Sequence, residues 1–277
     1  MISAGPILQE SLCWIDVMEP ERSEGFPANL FDLAFVGGFD EGFPELAKLA
    51  EAEDWGYRKN SADRPNPILL SYVRYTYQRL VEEDKLVLDK MGQRLCFNTG
   101  LITDHQQDIF ALFVPNRREN AAPWFLSGWY PRSAGELRVF SKLPDIAQYY
   151  DDPSALVFDA RLEFRVAVEH IIEENRERFP EPFRLMESFA LQNLFNGAID
   201  AAKVRVRRNY KTAIPQYYRN RPQLLLPICL SHPKVADLAL VIEKYEGYYL
   251  AATCLTLDMA YNNARLIARP DKDWLQP

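Results

Sequence analysis

Three apolar runs near the C-terminus most constrain what this chain can fold into. They cover 223–230, 238–245 and 248–256 and are rich in β-branched and aromatic residues. Glu246-Gly247 provides a tight turn between the last two runs, so they predict an antiparallel hairpin. The C-terminal part of the chain is therefore predicted to be rich in β-structure.

A long helix is predicted immediately before this sheet, over about 182–206. Its apolar residues recur at intervals of three and four, which is typical of a helix with one face in the core. The residues of the expected core-facing stripe are Phe183, Met186, Phe189, Ala190, Leu194, Ala198 and Ala202.

The N-terminal half also mixes helices with strands. A helix over 68–83 precedes a hairpin in which Gly92 allows the turn, and together they resemble, near residues 66–100, the second half of a winged helix. That resemblance is architectural and implies no function. The helices predicted by apolar spacing are 43–55, 68–83 and 161–176, and the strands are 85–88, 94–97, 108–114, 124–130 and 155–158.

This arrangement predicts an α+β fold with antiparallel sheets and segregated helices. Residues 1–38 show little periodicity and are interpreted as an N-terminal arm. Residues 39–277 are long enough for one compact domain, with a possible internal boundary near residue 104.

Cysteine and histidine usage argues against a metal or disulfide protein. The four cysteines, at 13, 96, 229 and 254, form no CxxC pair, and the three histidines are scattered. No resident cofactor is predicted, although Mg²⁺ bound by Asp104, Asp159 and Asp258 stays open. Since neither a secretory pattern nor a membrane-length apolar stretch is visible, a cytoplasmic location is expected.

The charge distribution points to a binding surface. The net charge is −7, yet residues 201–236 contain no acidic residue and carry +8, which leaves −15 on the rest of the chain. Arginine and lysine neutralise phosphates, and tyrosine rings stack on bases. The candidate ligand-binding residues in this segment are Arg205, Arg208, Asn209, Tyr210, Lys211, Tyr217, Arg219 and Arg221.

A purely structural interpretation of the same segment stays open. Cations at a helix C-terminus offset the helix dipole, and these residues are also able to pair with the acidic body. Tyr217 and Tyr218 are equally suited to packing on the sheet that begins at 223.

Four further residues are candidates outside this segment. Asn98 belongs to a predicted polar turn with Asp104 just beyond it, and both are able to face a ligand or to close the turn. His170, spaced five residues after Arg165, is a weak candidate for a general base, as is Asp104. Arg265 follows the last strand and is a candidate for the same anion site.

Several stretches together resemble the bacterial family known as domain of unknown function 3825, over about residues 40–277. The resemblance implies a link to RNA or nucleotides, since relatives occur in proteins with RNA-binding or nuclease-like domains, and it implies no catalytic residue. The stretches that carry it are 97–101, 124–125, 169–171 with Asn175 and Arg178, 208–211, 215–218 and 258–265.

Three functions are compatible with these patterns. The first is an RNA- or nucleotide-binding module, with single-stranded RNA or a nucleotide as partner. The second is a phosphate-ester hydrolase or ribonuclease that uses His170 or Asp104 beside the arginines. The third is a protein-interaction scaffold whose tyrosine-rich surface meets a partner protein.

Overall fold

Two five-stranded sheets organise the chain in the computed structural model, which describes residues 25–37, 42–57, 65–118, 120–270 and 274–275. The N-terminal sheet is formed by β1 (Ala34–Phe35), β2 (Val87–Leu88), β3 (Leu95–Ile102), β4 (Asp108–Pro115) and β5 (Trp124–Pro131). Its strand order is β1-β5-β4-β3-β2, and only the β1–β5 pair is parallel.

The C-terminal sheet is formed by β6 (Glu163–Val166), β7 (Ile214–Tyr218), β8 (Arg221–Ile228), β9 (Leu238–Tyr245) and β10 (Tyr248–Leu255). Its order is β6-β10-β9-β8-β7, with β6 parallel to β10 and the other pairs antiparallel. The helices of the described residues are α1 (Leu30–Leu33), α2 (Gly42–Leu49), α3 (Pro67–Glu82), α4 (Val168–Asn175), α5 (Ser188–Arg208) and α6 (Leu257–Ile267).

The C-terminal sheet is covered on both faces, because apolar residues occupy both sets of alternating positions in β8 and β9. Leu224 and Leu240 pack into a core that also contains residues of α4 and α5. Leu225 and Val241, on the opposite face, belong to a second core that contains residues of α6, α3 and the N-terminal sheet. This second core joins the two sheets, so α6 lies between the C-terminal sheet and the N-terminal half.

The predicted α+β class is confirmed. The strands predicted at 223–230, 238–245 and 248–256 correspond to β8, β9 and β10, and the helix predicted at 68–83 is α3. The hairpin predicted after α3 is present as β2 and the start of β3, but it forms part of the N-terminal sheet.

The segment between 150 and 180 differs from its prediction. Residues 155–158 were expected in a strand, but Pro153–Leu156 form a 3₁₀ turn whose first amide is capped by Asp152. Residues 161–176 were expected in one helix, but Glu163–Val166 pair with β10 before α4 begins. Residues 163–166 form a strand and not a helix because they hydrogen-bond to β10, and this distant partner cannot be inferred from the local periodicity.

Two helices also depart from the predicted pattern. Within α5, only Ala198 and Ala202 of the expected stripe are buried, and Phe183 and Met186, which precede the helix, pack against the same core. The stripe that α5 buries is Leu191, Phe195, Ala198, Ile199, Ala202 and Val206. Phe189 is exposed. The helix predicted at 43–55 ends at Leu49, because the Glu51 amide joins the carbonyl of Ile102 instead of continuing the helical ladder.

The predicted N-terminal arm falls only partly within the description. Residues 25–37 contain α1 and β1, and β1 extends the N-terminal sheet beside β5. Residues 1–24 and 38 lie outside the described residues. Among the helices of the described ranges, none is long and apolar enough to cross a bilayer.

Candidate functional site

The end of α5 places several cations at the surface. Arg205, Arg207 and Arg208 occupy its last turn, where positive charge stabilises the unpaired carbonyl groups of a helix. The Asn209 side chain then accepts from the Lys211 amide at 3.2 Å and begins a 3₁₀ turn that leads into β7. Asn209 therefore shapes the chain at this point.

Arg205 fixes the neighbouring loop between β8 and β9. Its guanidinium donates to the carbonyl oxygen of Pro233 and to Cys229 Sγ. The loop is closed by Asp237, which accepts from the Ser231 amide at 2.9 Å. Lys234 is consequently held beside the end of α5.

Four cations at this end of the molecule are exposed and have no ion-pair partner within the described part of the chain. Within the ranges that the structure describes, no carboxylate lies at ion-pair distance from Arg207, Arg208, Lys211 or Lys234. Tyr210, between them in sequence, is 58% exposed. We call these five residues the basic surface. They are free to neutralise phosphate and to stack on a base.

The remaining cations of the predicted segment are already engaged. Lys203 pairs with Asp200 at 3.4 Å, and Arg221 pairs with Glu243 at 2.6 Å. Arg219 lies over the Tyr218 ring at 5.5 Å. Because β7 leads away from the end of α5 at roughly 3.3 Å per residue, the hairpin tip that carries Arg219 and Arg221 is separated from the basic surface.

Tyr217 belongs to the core and not to the surface predicted for it. It is 8% exposed, and its ring meets Tyr149 edge-on with centroids 4.8 Å apart. The Arg79 guanidinium lies 5.6 Å from the same ring. Both the burial and these neighbours occupy the ring, so Tyr217 is not included in the basic surface.

Asn98, Asp104 and His170 are not brought together. Asn98 is buried in β3, where its Oδ1 accepts from the Gly100 amide at 3.0 Å in a bulge, so the polar turn predicted here lies instead at 103–106. Asp104 is exposed in that turn, and His170 is exposed on α4. Arg165 projects from the face of β6 opposite to that covered by α4, so it does not form a pair with His170.

The Asn175 and Arg178 motif holds α4 against β10. Arg178 Nη1 donates to the Cys254 carbonyl at 2.6 Å and to Thr253 Oγ1 at 3.1 Å. Asn175 Oδ1 accepts from the Cys254 amide at 2.8 Å. These bonds satisfy the backbone of β10 where its register with β9 shifts between Leu250 and Thr253, so the motif is structural.

The structure also contains a polar cleft that the sequence patterns do not indicate. Its volume is about 770 Å³, and it lies between the end of α6, α3, the bulge of β3 and the extended segment 145–150. Of the predicted ligand-binding residues, only Arg265 lines it. Its lining includes Glu53, Tyr72, Thr76, Ala147, Arg265 and Arg269.

Arg265 is buried at the wall of this cleft. Its side chain is 12% exposed and its Nε donates to both carboxylate oxygens of Glu53, at 2.8 and 3.0 Å. The guanidinium carbon lies 4.7 Å from the Tyr72 ring centroid and 5.2 Å from that of Trp55. Tyr261 donates its hydroxyl to Glu53 at 2.9 Å. The ion pair of Arg265 and Glu53, whose charges cancel, thus lies among aromatic rings.

The electrostatics of the cleft follow from this burial. Desolvation raises the pKa of the Tyr72 hydroxyl, which the nearby Arg265 guanidinium only partly offsets. For Arg265 itself, burial lowers the pKa, but the negative charge that Tyr72 gains at high pH and the Glu53 carboxylate outweigh burial and raise the pKa overall. The arginine stays charged and Tyr72 stays a neutral hydroxyl at physiological pH.

The carboxylates considered for Mg²⁺ occupy separate places. Asp104 lies in the β3–β4 turn, Asp258 in the first turn of α6, and Asp159 pairs with Arg161 at 2.7 Å. In the part of the chain that the structure describes, no group of three His, Cys, Asp or Glu residues is arranged to hold a metal ion.

These features define a class: an α+β protein of two five-stranded sheets, with a basic surface at one helix end and a polar cleft where the halves meet. Residues 46–274 match the sequence profile of the family described as "Domain of unknown function (DUF3825)". The match covers most of the chain, so the protein belongs to this family, as its motifs predicted. No curated protein and no solved structure gives a significant match.

Proposed function

We propose that the protein binds single-stranded RNA through the basic surface. The observation that carries the proposal is the set of four exposed cations without carboxylate partners among the described residues, next to an exposed tyrosine. Arg207, Arg208, Lys211 and Lys234 would contact phosphates, and Tyr210 would stack on one base.

The charge on the rest of the chain favours a single strand over a duplex. Outside residues 201–236 the chain carries −15, so a rigid duplex crossing the surface would bring its phosphates against an acidic body. A flexible strand is able to follow the basic surface and turn away. The same asymmetry steers a polyanion toward this end of the molecule.

The proposal predicts strong dependence on salt. Binding of a fluorescein-labelled 12-nucleotide RNA, followed by anisotropy, is expected to weaken with a slope of about −3 in log K against log [KCl], since each phosphate neutralised on a single strand contributes roughly −0.7. A flat response, or no binding at low salt, would remove the proposal.

A charge-matched pair of variants locates the site. Arg207→Gln/Arg208→Gln removes two cations of the basic surface, and the expected result is affinity reduced about tenfold with a shallower salt slope. The control is Arg117→Gln/Arg118→Gln, which removes two adjacent exposed arginines from the β4–β5 loop. Equal weakening in both would mean that net charge, and not this surface, determines binding.

Tyr210 tests the stacking contact separately. Tyr210→Ala is expected to weaken binding about tenfold without changing the salt slope, because base stacking on an aromatic ring contributes without counterion release. Tyr75→Ala, at an exposed tyrosine of α3, serves as the matched control. Unchanged affinity in Tyr210→Ala would remove the stacking role and leave the phosphate contacts standing.

A further inference from the structure

The polar cleft holds a guanidinium group whose terminal nitrogens have, among the described residues, the Tyr72 hydroxyl as a polar neighbour but no carboxylate partner. Arginine carries five N–H donors, and buried donors are nearly always paired. At Arg265 only Nε reaches Glu53, while rings cover the faces of the group. In the described residues, no carboxylate accepts from Nη1 or Nη2, which leaves this edge available at the wall of a cavity.

The opposite wall of the cleft is preformed. The segment 145–150 is tied to the end of α3 and the residues that follow it: Arg79 Nε donates to the carbonyl of Gln148 at 2.8 Å, and Lys85 Nζ donates to the carbonyl of Ile146 at 2.8 Å. The Gln148 amide in turn donates to Glu83. A cavity whose walls are fixed by such bonds loses little ordering entropy when a ligand enters.

Glycine at position 100 keeps space for the Tyr72 hydroxyl beside this wall. Gly100 has a φ of +72°, and a Cβ there would lie 2.6 Å from the Tyr72 hydroxyl oxygen. Thr76 and Tyr149, which share a 3.1 Å hydrogen bond, add two further hydroxyls to the lining. The cleft thus combines a cationic edge with neutral hydrogen-bonding groups.

We infer that this cleft binds a small organic oxyanion, a carboxylate or a phosphate monoester, attached to a flat or apolar body. The Arg265 edge matches the paired oxygens of such a head group. Arg269, exposed at the rim, adds a second cation. Leu101 and Ala147 supply apolar walls for the body of the ligand.

The rim limits the ligand to a small molecule. Glu51 and Asp145 line the same cleft, so a long polyanion that crosses the rim is repelled, whereas a small head group inside the cleft meets Arg265 and Arg269. RNA held on the basic surface is therefore not the expected occupant, and the cleft site does not depend on the RNA proposal.

Four probe molecules distinguish the contribution of the head group to binding from that of the ligand body. Phenyl phosphate and benzoate each carry a ring and an oxyanion, benzyl alcohol carries the ring alone, and inorganic phosphate carries the anion alone. Calorimetry and the ¹⁵N shift of Arg265 Nε report binding to the full chain. We expect one or both ring oxyanions to bind at least about tenfold more tightly than the two partial probes, since a charge-assisted hydrogen bond is worth about a decade in affinity.

The comparison of the two ring oxyanions shows which of the two head groups the cleft prefers. Failure of all four probes to move the Arg265 resonance, or equal binding of the partial probes, would overturn the inference.

Two variants place the probes in the cleft. Ala147→Phe places a ring in the cavity and is expected to weaken binding at least about tenfold, while Arg269→Gln, an exposed change that leaves the core intact, is expected to weaken it about tenfold. Arg117→Gln is the charge-matched control. Probe binding that persists unchanged in Arg269→Gln and Ala147→Phe would contradict the site. RNA affinity, measured in parallel, is expected to stay at the wild-type value in Ala147→Phe, so failure of one proposal is distinguishable from failure of the other.

Discussion

Two helices of this protein end in arginines that differ in their burial. Arg265 in the last turn of α6 is buried against Glu53, whereas Arg207 and Arg208 in the last turn of α5 are exposed and lack a carboxylate partner among the described residues. Both groups of arginines lie at a helix C-terminus, where the dipole favours positive charge. The difference comes from what surrounds each helix: α6 lies between the C-terminal sheet and the N-terminal half, whose Trp55 and Tyr72 cover Arg265, whereas α5 packs against the C-terminal sheet on the other side.

Helical spacing explains the contrast. α6 buries Tyr261 and Ala264. Arg265 lies one helical turn after Tyr261, so its side chain is at the edge of the buried face. α5 buries Ala202 and Val206, which turns Arg207 and Arg208 toward solvent. A cation at a helix end therefore becomes part of the core or of a binding surface according to its angular position.

The buried arginine is expected to show the largest effect on stability. Glu53→Ala leaves an uncompensated guanidinium in the core, which costs about 3–5 kcal/mol in the free energy of unfolding. Urea denaturation measures it, with the exposed neighbour Glu51→Ala as control. The double variant Glu53→Ala/Arg265→Met is expected to recover part of the loss. A cost below about 1 kcal/mol in the single variant would mean that the pair behaves as a surface ion pair.

An arginine held by neutral acceptors is expected to rank second. Arg178→Met leaves the Cys254 carbonyl and the Asn175 amide oxygen with fewer partners, at a cost of about 2 kcal/mol. Arg184→Met is the control, because the ion pairs of Arg184 with Glu177 and Glu181 lie at the surface. Equal costs in the two variants, by the same denaturation assay, would argue against a special role for the contacts to β10.

Sequence patterns predicted the fold where local and tertiary preferences coincide. β8, β9 and β10 follow one another through short connections, so their apolar runs and the Glu246-Gly247 turn contain most of the necessary information. The strand β6 was not predicted, because its partner β10 lies more than 80 residues away in the sequence. The buried face of α5 was mostly mispredicted, because apolar residues occur on several faces of this helix and tertiary packing determines which face is buried.

The candidate sites divide along the same line. The absence of acidic residues over 201–236 is a local property and pointed to the basic surface. The ion pair of Arg221 with Glu243 joins the neighbouring strands β8 and β9, and the ion pair of Glu53 with Arg265 joins residues 212 positions apart. Neither spacing carries a sequence signal, so the cleft became visible only with the fold.

The exposed, already paired arginine is expected to give the smallest effect. Arg221→Gln breaks the ion pair with Glu243, but both groups contact solvent, so the free energy of unfolding is expected to change less than in the two variants above. RNA affinity is expected to change by less than about twofold, because Glu243 already neutralises this cation and the hairpin tip lies apart from the basic surface. Anisotropy with the same 12-nucleotide RNA checks this against Arg208→Gln. A loss in Arg221→Gln equal to that in Arg208→Gln would show that RNA displaces Glu243, and the binding surface would then extend along β7 and β8 to the hairpin tip.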